Sequence, residues 1–286
     1  MTKRLWPPTQ DDVTTAARLV AVHWPEPVDE ERITREWTSP RVDLEQDARI
    51  GDDVYVLVQD IDDGRAWIEV HGSDVSEALD WAESRASEMG ARRLLAGAWS
   101  TDTPVLRELA ARGFVLARQS RRMAIELDKP LGAPVWPEGI SVRPMRLGEE
   151  RSVYEVQQDA FRDTWEPLHE SFEQWGHWLL QPRRFVPELW FLALDGTRIC
   201  GIAICHPHPT VADLGWVCVL AVRREWRRRG IGRALLLHAF GAFKEQGLAR
   251  AALGVDSDSP TGAHTLYEDA GMRTTQRFDI FEKAAA

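Results

Sequence analysis

Leu214–Val222 (LGWVCVLAV) followed by Arg227–Ala234 (RRRGIGRA) is the stretch that decides the fold. The first segment is apolar and β-branched and predicts a buried strand. The second is a basic glycine turn over Arg227–Arg233, and an amphipathic helix is predicted from Ala234 onward. The first N–H groups of a helix have no partner within it, and that end carries partial positive charge. Gly230 and Gly232 let such a backbone approach an anion closely, and the arginines add charge around it. The stretch is therefore a candidate diphosphate cradle. A tight turn with a solvated basic face is the alternative.

Two better-known phosphate motifs do not fit. No Lys stands in the turn, and no Ser or Thr follows Gly232 to hold magnesium. Leu235 occupies the place of the third glycine in the dinucleotide pattern Gly-x-Gly-x-x-Gly.

The 286 residues suffice for two domains of ordinary size. With 45 Asp and Glu against 35 Lys and Arg, the net charge of -10 argues against nucleic acid as the main partner. Six arginines nevertheless fall within Arg223–Arg233. A small polyanion such as a phosphorylated cofactor suits that pattern better than a polymer. Cys200, Cys205 and Cys218, an odd number in apolar segments, suggest packed, reduced thiols and a cytoplasmic location. No Cys-x-x-Cys or His-Glu-x-x-His pattern is present, so no metal is expected. The N-terminus lacks the apolar core of a signal peptide, and no apolar run reaches membrane-spanning length, so no membrane partner is expected.

Along the first half, helices are predicted at Ala16–His23, Asp29–Trp37, Val75–Met89 (capped by Ser73 or Asp74) and Pro104–Arg112. Strands are predicted at Val54–Gln59, Ala66–Val70, Arg93–Trp99 and Ala124–Leu127. Pro130–Gly139 holds three prolines and two glycines and is the linker candidate. The second half predicts strands at Ile140–Arg143, Trp190–Leu194, Ile199–His206, Leu214–Val222, Ala251–Val255 and Arg277–Phe281. Its helices fall at Glu149–Arg162, His169–Leu180, after the glycine turn, and at Gly262–Ala270.

The halves share a layout. Gly90 to Gly113 spans 23 positions and Gly247 to Gly271 spans 24, each holding strand, turn and helix in the same order. This indicates a tandem duplication, giving an α/β (α+β) class with domains at 1–129 and 139–286 joined by 130–138. Opposite Arg227–Arg233 the first half has only Val70–Val75 (VHGSDV), without an arginine and with an acid that would repel a diphosphate. The first domain is therefore the degenerate one.

The second half resembles the GNAT superfamily of N-acetyltransferases. The resemblance rests on Val219–Val222 (VLAV), on Arg227-x-x-Gly230-x-Gly232-x-Ala234, and on the later Ser259–Gly271 (SPTGAHTLYEDAG). It covers Ile140 to Lys283. The tandem layout is similar to that of mycothiol synthase, whose C-terminal half carries the activity.

The resemblance implies two GNAT-like domains, each a mixed, mostly antiparallel sheet flanked by helices. It implies acetyl-coenzyme A as donor and a small-molecule amine as acceptor, joined by direct attack. Backbone groups of Leu220, Ala221 and Val222 would hold the pantetheine arm. The turn of Arg227, Arg228, Arg229, Gly230, Ile231, Gly232 and Arg233 would hold the diphosphate, with Ser259 also on the donor. Tyr267 would protonate the leaving thiolate in a splay between the fourth and fifth strands.

Two departures stand out. Many relatives have Asn where this chain has Ser259, and several have a glutamate base where it has Trp216. Asp213, His206 and His208 are the nearby titratable alternatives. Without a base, the acceptor is expected to be a weakly basic amine. A non-catalytic acyl-CoA-binding module is the rival reading, and an anion- or nucleic-acid-binding protein a third.

Overall fold

Apolar residues at three- and four-residue spacing build α1 (Val13–Ala21), which buries Val13, Ala16, Ala17, Leu19 and Val20. The Asp29 side chain caps α2 (Glu30–Trp37) by accepting from the Arg32 N–H. A short turn of helix, α3 (Leu44–Asp47), leads into β1 (Ala48–Ile50), then β2 (Val54–Asp60) and β3 (Arg65–Gly72). There follow α4 (Ser76–Glu88), β4 (Arg93–Trp99), α5 (Thr103–Ala111) and β5 (Val115–Glu126). The second half supplies β6 (Ile140–Pro144), α6 (Glu150–Phe161), α7 (Phe172–Leu179), β7 (Trp190–Asp195), β8 (Arg198–Pro207) and β9 (Leu214–Val222). It ends with α8 (Ile231–Glu245), β10 (Arg250–Asp256), α9 (Ala263–Asp269) and β11 (Arg273–Ala284).

This is a computed structural model that describes residues 5–162, 170–181, 183–257 and 262–285. It divides into unit 1 (Met1–Ser120 with Gln276–Ala286) and unit 2 (Arg121–Thr275).

In unit 1 the strand order is β1-β2-β3-β4-β11. The β1–β2, β2–β3 and β4–β11 pairs are antiparallel and β3–β4 is parallel. One side of β2, β3 and β4 packs on α4 and α5 through Val56, Ile68, Val70, Leu79, Ala96 and Leu109. In unit 2 the order runs β10-β9-β8-β7-β6, with β5 beside β10. The β6–β7, β7–β8 and β8–β9 pairs are antiparallel, and β9–β10 is parallel. Helix α8 buries Leu235, Leu236, Phe240 and Phe243 against one face of this sheet. Truncating the fully buried Phe240 to Ala should destabilise by about 3–5 kcal/mol.

Each unit is thus a mixed, mainly antiparallel sheet flanked by helices, as expected. The division differs from the expected one. The last eleven residues, Gln276–Ala286, belong to unit 1, because β11 pairs with β4 from Phe278↔Trp99 to Ala284↔Arg93. Gly97 permits this, since a Cβ there would collide with the Phe278 ring. Pro130–Gly139 lies inside unit 2 and is docked rather than free. Leu131 and Trp136 pack on its core, and the Trp136 ring sits 6.1 Å from that of His238.

Local differences have local causes. Helix α4 starts after Val75 without a side-chain cap, because the Ser73 hydroxyl bonds Asp53 instead (3.1 Å). Strand β5 is far longer than Ala124–Leu127, since the unbroken polar run Arg118–Arg122 in its middle shows no apolar alternation by which a strand could be read. The predicted start of α7 at His169 falls outside the described residues.

Candidate active site

Strands β9 and β10 pair at Leu214↔Arg250, Gly215↔Ala251 and Trp216↔Ala252. Beyond that point β9 continues to Val222 and β10 to Asp256 with no further pairing among the described residues. The two strands part there, and the edge of β9 facing β10 is left unpaired.

The ladder on the other side of β9 determines which backbone groups lie on that edge. The Arg223 N–H donates to the Cys200 carbonyl (2.9 Å), which makes Cys200 and Arg223 a hydrogen-bonded pair. In an antiparallel ladder such pairs alternate, so Ile202 and Ala221 form the next one. Leu220 and Val222 turn their backbone groups away from β8, toward the gap. The Val222 carbonyl accepts from Arg227 Nε (3.2 Å), which leaves its N–H and both groups of Leu220 on the edge. Of the three residues expected to hold the pantetheine arm, Ala221 directs its backbone into the sheet.

The turn after β9 is held from beneath. Arg223 reaches the Ile199 carbonyl (3.1 Å) and Asp159 (3.2 Å). Trp226 is buried and donates to Asp195 (2.9 Å). Besides Val222, the Arg227 guanidinium donates to the Ala160 carbonyl at the end of α6 (2.7 Å). Its side chain therefore anchors the turn and does not project toward a ligand.

Above this anchor the backbone is strained in a defined way. Arg228 has φ +61° and Gly230 has φ +88°, both left-handed. For a non-glycine residue that conformation costs about 1–2 kcal/mol. Gly230 is the N-cap of α8, has no side chain to cap it, and would meet nothing within 4 Å at a Cβ. The first intrahelical bond is from Ala234 N–H to the Gly230 carbonyl (3.0 Å). The N–H groups of Ile231, Gly232 and Arg233 thus have no acceptor among the described residues. The Ile231 side chain is buried and fixes the helix start, which is why α8 begins three residues before Ala234. Arg228, Arg229 and Arg233 are exposed, and none of them has an ion pair among the described residues. The geometry fits a diphosphate: unsatisfied N–H donors, a helix dipole and three available cations at one point.

Tyr267 lies on α9, 7% exposed, in the same apolar cluster as Ile231, Leu235 and Val255. Burial pushes its hydroxyl up to about 12, so at neutral pH it is a proton donor and not a base. Ser259 lies outside the described residues.

Trp216 is half-buried, with the Arg122 guanidinium over its ring and the His208 ring edge-on at 6.3 Å. The three titratable alternatives separate clearly. Asp213 is exposed and doubly bonded by Arg250 (2.8 and 3.2 Å); that hydrogen-bonded partner holds its carboxyl below the usual range. His208 Nδ1 accepts from the Thr210 hydroxyl (3.2 Å) and N–H (3.4 Å), so its neutral ring carries the proton on Nε2. His206 is 1% exposed and pairs with Trp216 across the strands, on the same face. Its Nδ1 lies 2.7 Å from the Pro207 carbonyl, an acceptor, so its neutral ring carries the lone pair on Nε2. Of the three, it is the buried strand residue and not a solvated loop residue.

The three cysteines are free thiols. Burial raises Cys205 well above the ordinary thiol range, so it is chemically quiet. Among the described residues no helix is long and apolar enough to cross a membrane.

The acetyltransferase (GNAT) family model matches residues 151–272. A GCN5-related N-acetyltransferase from Sphaerobacter thermophilus superposes with a TM-score of 0.78 at 30% identity, over 99% of this chain and 95% of that one. A tandem GNAT protein from the clavulanic acid biosynthesis pathway shares the fold, with a TM-score of 0.70 at 14% identity over 99% and 98%. A mycothiol acetyltransferase from Thermobispora bispora is 32% identical over 184 residues, 60% of this chain and 59% of that protein. The match therefore spans less than two thirds of that relative's length.

Proposed function

This chain belongs to the GCN5-related N-acetyltransferase (GNAT) family, and we propose that its second unit moves an acetyl group from acetyl-coenzyme A to an amine of a small-molecule acceptor. The observation that carries the proposal is the open first turn of α8, set beside the parting of β9 from β10. The N–H groups of Ile231, Gly232 and Arg233, with Arg228, Arg229 and Arg233 around them, bind the diphosphate. Leu220 and Val222 present backbone groups to the pantetheine arm as a neighbouring strand would. Tyr267 supplies the proton that the departing thiolate takes up.

The acceptor side has no carboxylate at the Trp216 position. A positioned base is worth about 10²–10⁴-fold. An amine with a pKa of about 10.4 is neutral about once in 2,500 molecules at pH 7, which costs ~4.6 kcal/mol. One with a pKa of about 8 is neutral about one time in ten, which costs ~1.4 kcal/mol. The site therefore suits a weakly basic amine, for which positioning supplies most of the acceleration.

Titration calorimetry with acetyl-CoA should give one donor per chain, and an amine library should elicit thiol release from weakly basic members. Two equivalent donor sites would contradict the degenerate first unit. A second reading, a non-catalytic acyl-CoA-binding module, draws support from the tied-up Asp213 and the indole at Trp216. Tight donor binding without thiol release across the library would decide for it.

A further inference from the structure

Unit 1 carries a polar face on the strand that corresponds to β9. Gly90 and Gly247 each precede an arginine by three residues, Arg93 and Arg250, and those pair with Arg65 and Leu214. The same step places Trp67 opposite Leu95 and Trp216 opposite Ala252, so the two tryptophans correspond. Past Trp67, strand β3 turns Glu69 and His71 to the face away from Ile68 and Val70.

There they join a partly buried network. Glu69 Oε1 lies 2.8 Å from His71 Nε2 and 3.4 Å from Arg32 Nη2, and Arg32 also holds Glu36 at 2.8 Å. Tyr55 stacks parallel to the His71 ring at 6.4 Å. Trp24 stands edge-on to both His71 (6.4 Å) and Trp99 (5.4 Å), with Arg32 over its face at 3.6 Å. His23 is 3.7 Å from Asp102.

Burial works to raise the Glu69 carboxyl, but the hydrogen bonds from His71 and Arg32 and the charge of Arg32 hold it low. A carboxylate only accepts, so His71 Nε2 carries the proton and the neutral ring offers Nδ1 as an acceptor. His71 is 7% exposed, and its Nδ1 has no hydrogen-bond partner among the described residues. The Trp99 Nε1–H is likewise buried and without a partner. A buried polar group left unpaired costs about 1–3 kcal/mol, and such groups are few in native folds. Here the rings that carry one such acceptor and one such donor both contact the Trp24 indole.

We propose that this is a ligand site: His71 Nδ1 accepts from, and Trp99 Nε1 donates to, a neutral amide or hydroxyl group of a small molecule lying against Trp24. An anionic ligand is disfavoured. Glu36, Glu69 and Asp102 face the site, and Arg32 is already engaged by two of them. The site is independent of acetyl transfer, since it uses no residue of unit 2.

The test uses the isotopically labelled full chain, with acetamide and its charged isostere acetate as probes. Acetamide should shift the Trp99 indole N–H and the His71 ring nitrogens saturably, whereas acetate should not. Trp99→Phe keeps the ring against Trp24 and deletes only the donor; it should weaken acetamide roughly five- to tenfold. His71→Leu should act likewise, and Trp99→Phe stands alone if that variant fails to fold. No saturable shift at Trp99 would mean that buried water satisfies both groups, and would overturn the proposal. So would equal binding of acetate, or a His71 ring protonated on Nδ1 alone.

Discussion

The guanidinium carbon of Arg122 lies 4.3 Å from the centre of the Trp216 ring. A cation over an indole contributes about 0.5–2 kcal/mol, and it sets the electrostatics where several GNAT relatives hold a carboxylate base. Placing a carboxylate there would not recreate that base. An opposite charge within ~4–6 Å lowers a carboxylate pKa by roughly 1–3, too far below neutrality to accept a proton efficiently. Trp216→Glu should therefore leave turnover of strongly basic amines at pH 7 unimproved. A tenfold or greater gain in a steady-state assay would refute this.

Gly232 separates packing from binding. A Cβ there would lie 3.4 Å from Leu266 Cδ1 and 3.7 Å from Val222 Cγ2, ordinary contact distances. Gly232→Ala should fold normally and gain about 0.5–1 kcal/mol in thermal unfolding, because glycine weakens a helix. Gly232→Phe should abolish acetyl-CoA binding in calorimetry, since a ring there would press on Leu266 and Val222 and displace the first-turn N–H groups proposed to hold the diphosphate. Undiminished affinity in that variant would remove α8 from the donor site.

Tyr267→Phe should lower turnover by about 10²–10⁴-fold while sparing donor affinity. The raised hydroxyl pKa adds a stability signature. The folded value of about 12 exceeds the ordinary 10.0. The associated stability is therefore complete below about pH 10 and is lost as pH rises through about 12. Alkaline unfolding curves of the two proteins should diverge only in that range. A proportional loss of donor affinity would argue for a packing role instead.

Glu36 predicts the opposite of an ordinary surface acid. Burial, then the charge of Glu69, pushes it up to about 7 from 4.5 despite Arg32. Stability from this group is full below about pH 4.5 and falls as pH rises toward 7, by roughly 3–4 kcal/mol. Glu36→Gln should flatten the stability curve between those values and match or exceed the parent at pH 8. Chemical denaturation at pH 5 and pH 8 measures both. A variant much less stable at pH 8 would show that the Arg32 pair outweighs burial.

Much of the candidate site was legible before any fold was known. Gly230 and Gly232 preceding an amphipathic helix already marked a candidate anion-binding turn, and Arg93–Trp99 was predicted to the residue. The roles within the arginine cluster were not legible. Arg223 and Arg227 point inward to Ile199, Asp159, Val222 and Ala160, while Arg228, Arg229 and Arg233 face solvent. Nothing in the spacing distinguishes them, because the partners come from β8, β9 and α6. The network around His71 was missed although a trace of it was visible: Trp67, Glu69 and His71 alternate with Ala66, Ile68 and Val70 along one strand.

Sequence alone determined most of the features set by short-range chemistry: which segments are helix or strand, and where chain reversals fall. Those are properties of neighbours along the chain, and periodicity and glycine placement report them. Only the tertiary structure decided partners. Strand β11 joins β4 in unit 1, with Phe278 opposite Trp99 and Ala284 opposite Arg93, although the whole of unit 2 separates them in the chain. Glu69 lies half-buried beside Arg32, with Tyr55 close by, for the same reason. Hydrogen bonds and charges brought together from distant positions depend on how whole elements pack, and no local pattern encodes that.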